Sequence, residues 1–135
     1  IPHVIEPTFG INRIFLAILA QSYVQDGERM YLKLPAKLAP YKVAVFPLVK
    51  NKPELVEKAQ TLFQNLQKIA PTAWDDRGNI GKRYSSQDEI GTPYCVTVDY
   101  QTLEDGTVTL RERDTMQQER LTLSEVELRV KNMLS

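Results

Sequence analysis

The eight residues Tyr41 to Leu48, YKVAVFPL, constrain the fold first, because they are apolar on both faces and rich in β-branched side chains. A strand with no wet face belongs at the centre of a sheet covered on both sides by helices. The next segment fits that demand. From Pro53 to Ile69, Leu55, Val56, Ala59, Leu62, Phe63 and Leu66 recur at helical spacing, and Lys52, Glu54, Glu57 and Lys58 fall on the wet side. A short strand is expected at Thr72 to Asp75, then a loop at Gly78, a helix from about Asn79 to Glu89, and a strand from Tyr94 to Tyr100. The turn Glu104-Asp105-Gly106 is expected to join that strand, hairpin-fashion, to another at Thr107 to Arg113. A last strand is placed at Glu119 to Leu123, and Ser124 is read as the N-cap of a closing helix, with Glu127 at capping-box spacing. The fold class is therefore α/β: a mixed sheet of about five strands flanked by about three helices.

Upstream of this unit the chain reads differently. Pro2 to Glu6 is expected as a short buried strand running into a turn at Pro7, and Phe9 to Tyr23 has the apolar spacing of a helix. Asp26-Gly27 breaks that helix, and Pro35 and Pro40 mark the segment that follows as a linker. The organisation is thus a strand–helix piece at 1–24, a linker at 25–40 and a main domain at 41–135. The helix would expose an apolar face unless it packs on the main domain or drives self-association. A chain opening on Ile1 in an extended segment reads as a piece of a longer protein.

Seventeen basic and seventeen acidic residues cancel, which argues against coating nucleic acid by charge alone, so any RNA binding must be local. A lone cysteine, Cys95, excludes an internal disulfide framework and multi-cysteine zinc sites, and fits a reducing, cytoplasmic compartment. The longest apolar-rich stretch, Ile11 to Ala20, is too short to span a bilayer and is interrupted by Asn12 and Arg13, so no membrane role is expected. His3 is the single histidine, which argues against a metal site and against a nucleophilic triad. GNIGK lacks the spacing and the Lys-Ser/Thr ending of a phosphate-binding P-loop.

Two groups of residues carry candidate chemistry. In IEPTFGINR, Gly10 permits close backbone approach and Arg13 stands in the first turn of a helix, where a guanidinium can fork onto phosphate oxygens or lie on a solvent face. Glu6, on a strand expected to be buried, calls for a basic partner or a cationic ligand. In the second group, Lys82 and Arg83 lie early in a helix, where they can meet phosphates, and Asp88 and Glu89 can accept from base edges. Arg111, Arg113 and Asp114 end a strand from which unstacked bases can be reached. The alternative for the helical residues is an exposed helix laced with ion pairs of little energetic worth.

The words GNIGKRY, DEIGTPYCVTVD and DGTVTLRERDT, taken together, resemble the single-chain, class II glycyl-tRNA synthetase family, and IEPTFGINRIFLAIL is similar to the third signature motif of class II synthetase active sites. The resemblance implies that 41–135 is an anticodon-binding domain and that 1–24 is the end of a catalytic domain. It assigns Arg13, with Gly10, to the grip on ATP, and Glu6 to the α-ammonium of glycine. Thr8 stands where serine is expected beside that glycine. Lys82, Arg83, Asp88, Glu89, Arg111, Arg113 and Asp114 are assigned to the tRNA. The implied protein ligates glycine to tRNA(Gly) through a glycyl-adenylate, uses ATP and Mg2+, and is a homodimer. The first two class II motifs have no match here, so this piece is expected to be inactive, to need no cofactor and to be monomeric. The rivals are a non-catalytic accessory protein that kept the scaffold and binds nucleic acid, and a plain interaction domain with no affinity for RNA.

Overall fold

The computed structural model describes residues 1–134. Its main unit is a five-stranded sheet in the order β4-β3-β5-β6-β7. The strands are β3 (Val43–Pro47), β4 (Thr72–Trp74), β5 (Tyr94–Val98), β6 (Thr107–Glu112) and β7 (Gln118–Thr122). β3 pairs in parallel with both β4 and β5, and the β5–β6 and β6–β7 pairs are antiparallel, which makes the sheet mixed, as expected. All five β3 residues are buried, the consequence of a strand covered on both faces.

The two faces are filled by different helices. α2 (Pro53–Gln67) buries Leu55, Ala59, Leu62 and Leu66, four of the six residues read as its apolar stripe. With Val126 and Val130 of α5 (Leu123–Leu134) they cover Val43, Val45, Val96, Val98, Val108 and Leu110. On the opposite face Ala44, Phe46, Ala73 and Cys95 pack against Ile80 and Tyr84 of α3 (Ile80–Ile90). Cys95 is thus a small core residue, and burial raises its thiol pKa well above the usual range.

Three local expectations are corrected. Pro2 to Glu6 forms no strand and is open to solvent, so Glu6 bears none of the desolvation cost that a buried carboxylate would. β5 and β6 are joined by a short helix, α4 (Tyr100–Asp105), rather than by a tight turn; Asp99 and Thr102 form its capping box. The start of α5 is fixed two residues before Ser124: the Thr122 N–H donates to Glu125 Oε2 at 2.7 Å, and the Glu125 N–H reaches back to Thr122 Oγ1.

The segment read as a linker has structure of its own. α1 (Ile11–Ser22) runs directly into β1 (Tyr23–Asp26), which pairs with β2 (Arg29–Leu32) in an antiparallel hairpin seated on α3. α1 does not pack on the main domain: Ile11, Phe15 and Leu16 remain exposed, and burial begins only at Ile18 and Leu19.

Candidate nucleic-acid interface

In a sheet that winds both ways from a central parallel strand, ligands gather outside the carboxyl ends of the strands where the winding reverses. Here β3 is followed by α2 leading to β4 on one side, and β4 by α3 leading to β5 on the other. The reversal lies where β3, β4 and β5 end, at Pro47, Trp74 and Val98. The loop after β4 and the amino end of α3 form a ledge there, with a hollow of about 320 Å3 lined by Asp75, Arg77, Gly78, Lys82, Arg83 and Ser86.

The ledge is built from within. The Asn79 side chain caps α3 by accepting from the Lys82 N–H at 2.8 Å, which fixes where the helix starts. Below it Arg83, only 3% exposed, donates to the carbonyls of Pro47, Arg77, Asp76 and Gly78 at 2.6–3.1 Å. One guanidinium therefore ties the loop after β4 to the end of β3. Asp75 accepts from the Arg77 amide and guanidinium; burial works against its charge, yet these bonds and the nearby Arg83 hold the carboxyl below its ordinary pKa. The Arg77 side chain is 88% exposed, and Lys82 is exposed beside it. Two exposed cations, one of them bridged to Asp75, and a helix amino terminus at the rim of a hollow suit the phosphates of a nucleic-acid backbone.

Beyond α3 the same sheet face is open and polar. Thr107 and Thr109 of β6 alternate with the buried Val108 and Leu110. Across the strand pair, Arg120 donates to both oxygens of Asp99, at 2.7 and 3.1 Å, and to Thr107 and Thr109. Burial opposes the charge of Asp99, but the Arg120 and Thr102 bonds outweigh it and lower its pKa. The Tyr84 hydroxyl meets Thr97 at 2.6 Å, and the Arg111 guanidinium stacks 4.8 Å from the Tyr84 ring.

The residues nominated from the sequence are not gathered on one surface. Lys82 is on the ledge and Arg83 beneath it. Asp88 and Glu89 stand at the far end of α3, Asp88 buried and Glu89 exposed. Arg111 is buried against Asp88. Arg113 is buried with its guanidinium on Gly91 O, Leu34 O and Asp114, and Asp114 is half-buried as its partner. The picture of an exposed, ion-paired surface helix is thus corrected for Arg83 and Asp88, which lie in the interior. Glu6, Thr8, Gly10 and Arg13 stand apart on the exposed arm, where the Gly10 carbonyl accepts the first helical amides, from Arg13 and Ile14. Sequence reading missed Arg77, Asn79 and Arg120. The Asp-Asp-Arg-Gly-Asn run, a turn followed by an N-cap, signals the first two.

Residues 42–133 match the family model described as "Anticodon binding domain". The chain is 52% identical over 126 residues to glycine–tRNA ligase of Methanothrix thermoacetophila, covering 90% of this chain and 22% of that protein. It is 50% identical to the Streptomyces coelicolor glycine–tRNA ligase, with 93% of this chain and 29% of the relative covered. For the Pyrococcus furiosus enzyme of the same name the identity is 49%, with coverage of 99% and 24%. The chain thus spans between about a fifth and a third of the length of these relatives. Among solved structures, the RNA-binding domain of threonyl-tRNA synthetase from Cryptosporidium parvum superposes with a TM-score of 0.67 at 28% identity, over 75% of this chain and 25% of the other. Prolyl-tRNA synthetase from the same organism superposes at 0.69 with 25% identity, over 76% and 22%. With its mixed sheet and the ledge both inside the matched residues, the chain belongs to the anticodon-binding domain family of the tRNA synthetases, alongside glycine–tRNA ligases.

Proposed function

We propose that this chain recognises the anticodon arm of tRNA(Gly), as part of a protein that ligates glycine to that tRNA. The observation that carries the reading is the family match across residues 42–133, which takes in the cationic ledge and the open polar sheet face. The division of labour is geometric. Arg77, Lys82 and the α3 amides hold phosphates, which fixes register, and the Thr107–Thr109–Arg120 face offers donors and acceptors to unstacked bases. Glu89 and Asp114 keep exposed carboxylate surface at the opposite end of α3. Arg83, Asp88, Arg111 and Arg113 support these surfaces from within.

The upstream arm is read as the end of a catalytic site. Arg13, exposed in the first turn of α1 behind Gly10, is positioned to fork onto an anionic phosphate, and Glu6 and Thr8 are free to meet a small amino acid. ATP would supply the adenylyl group in this ligation, with pyrophosphate as the leaving group; here Arg13 would bind and orient it. Among the described residues no three His, Cys, Asp or Glu side chains converge on a metal position. The parent protein is proposed to be a cytoplasmic homodimer. No described helix is long and apolar enough to cross a membrane.

The test is a titration of the chain with tRNA(Gly), and with the same tRNA changed at its middle and third anticodon bases, across a salt series. A preference for the native anticodon that persists as salt rises supports base reading. Equal, salt-sensitive binding to both would leave only a generic cationic surface, and no binding would overturn the reading for this chain.

A further inference from the structure

We infer that Arg29 and Asp88 are positioning residues that lock the α1 arm to the RNA-binding domain, so that the two move as one rigid body. The inference rests on the proposed reading for its purpose, which is to hold the Gly10–Arg13 segment at a fixed distance from the anticodon surface. Its mechanical content stands on geometry alone.

α1 passes into β1 without a loop: the Tyr23 N–H still donates to Leu19 O, so whatever fixes the hairpin also fixes the arm. The hairpin is fixed at several points. Arg29 on β2 donates through Nε and Nη2 to Asp88 Oδ2 at 3.2 and 3.0 Å, and through Nη2 to the Arg113 carbonyl. Asp88 in turn takes both Arg111 donors, which anchors the pair to β6. Two residues past β2, the Leu34 carbonyl accepts from Arg113 Nη2 at 3.0 Å. There is no slack at this seat: a Cβ on Gly91, the α3 C-cap, would come within 2.8 Å of Leu34 Cδ1 and 3.0 Å of Leu32 O. The rest of the connection is tied down by Lys42, whose buried ammonium donates to the carbonyls of Ala36, Lys37 and Ala39 at 2.8–2.9 Å. A stretch containing Pro35 and Pro40 that would otherwise serve as a flexible spacer is thereby a strut. Arg29 is well suited to its part, because a planar fork can serve a carboxylate and a carbonyl at once where a lysine ammonium serves them less well.

The experiment places spin labels on Asn12→Cys in α1 and Gln64→Cys in α2, both exposed positions; the native Cys95 is 1% exposed and does not label. The expected result is a narrow distance distribution in the otherwise unaltered chain, at least twofold broader in Arg29→Gln and intermediate in Arg29→Lys. A control pair within the domain, Gln64→Cys with Glu104→Cys, is expected to stay narrow in all three, which separates release of the arm from loss of fold. An unchanged Asn12–Gln64 width in Arg29→Gln overturns the inference, as does equal broadening of the control pair. Binding to tRNA(Gly) is measured in parallel and is expected to change less than twofold. Its loss in Arg29→Gln while the distances stay narrow would place Arg29 on the RNA surface and overturn the positioning role. Failure of the unaltered chain to bind tRNA would instead sink the proposed function and leave the strut to be judged by the distances.

Discussion

Arg111 holds both oxygens of Asp88, Nη1 to Oδ1 at 2.9 Å and Nη2 to Oδ2 at 3.0 Å, in a bidentate pair buried between β6 and α3. The side chains are 8% and 3% exposed. Burial disfavours the guanidinium's charge, but the carboxylate it grips outweighs that penalty and raises its pKa. The guanidinium therefore stays charged at any ordinary pH, and the pair joins β6 to α3.

Removing one partner leaves the other as an uncompensated buried charge. Asp88→Ala strands both Arg111 and Arg29 and is expected to cost about 3–5 kcal/mol of folding stability, a large share of what a small domain has. Arg111→Ala is expected to cost somewhat less, because Arg29 still neutralises Asp88. A double replacement, Asp88→Leu with Arg111→Met, should recover the share of the loss due to Arg111 in urea unfolding, while Arg29 stays without its carboxylate. If Asp88→Ala unfolded at the same urea concentration as the parent while tRNA binding collapsed, Asp88 would be an RNA contact after all.

Arg77→Ala and Lys82→Ala report on the opposite case. Both side chains are exposed on the ledge, and stability is expected to change by no more than about 0.5 kcal/mol. Each is proposed as a phosphate partner, so tRNA affinity should fall for native and altered anticodons alike. The slope of log K against log salt should shrink by about one unit per residue. A loss confined to one anticodon would reassign that residue from phosphate to base.

How far the sequence discloses this molecule depends on the range of the interaction. YKVAVFPL announces β3, and the Leu55-Ala59-Leu62-Leu66 stripe announces α2, because burial leaves a periodic trace within one element. The capping box at Thr122 and Glu125 was equally local, yet Ser124 and Glu127, two residues on, carry the same spacing and compete for the assignment. The β1–β2 hairpin left no comparable trace, because its strands are four residues each and β2 docks on α3. The site was harder still. Nothing near Arg83 distinguishes it from Lys82, since its buried state depends on carbonyls of the loop before it and of Pro47, 36 residues away. Arg29 and Asp88 lie 59 residues apart. A charged residue that closes a tertiary contact looks in sequence like one that faces a ligand.

Gly91 is a position where backbone and packing both exclude a side chain. Its φ is +83°, and a Cβ there would run into Leu34 and the Leu32 carbonyl. Gly91→Ala is expected to destabilise the chain by about 1–3 kcal/mol. The damage should be local first: faster amide exchange at Lys33, whose N–H donates to Ser22 O, before any change in the β3–β5 ladder. Uniform acceleration across both regions would mean that the hairpin and the sheet unfold as one unit.

The Asp99–Arg120 bridge predicts an acid limb with a definite sign. The Asp99 pKa in the folded chain lies below its ordinary 3.8, so its contribution is fully present above that value and is lost as pH falls through the folded pKa. Asp99→Asn keeps an oxygen to cap Thr102 but removes the charge facing Arg120. Near neutrality it should lose the contribution that the paired carboxylate makes there, and it should decline less steeply between about pH 5 and pH 2, so that its curve converges on the parent's in acid. Asp99→Ala loses the cap as well and is expected to cost about 1 kcal/mol more at neutral pH. Asp105 and Asp75 have lowered pKa values of their own, Asp105 to about 2 through its bonds to Thr107, so some acid sensitivity should remain in either variant. Urea midpoints followed across that range for the parent and both variants decide the matter: parallel acid limbs would show that the bridge carries no linkage. A limb flattened equally in Asp99→Asn and Asp99→Ala, neither of which titrates at position 99, would assign that share of the acid loss to the Asp99 carboxylate.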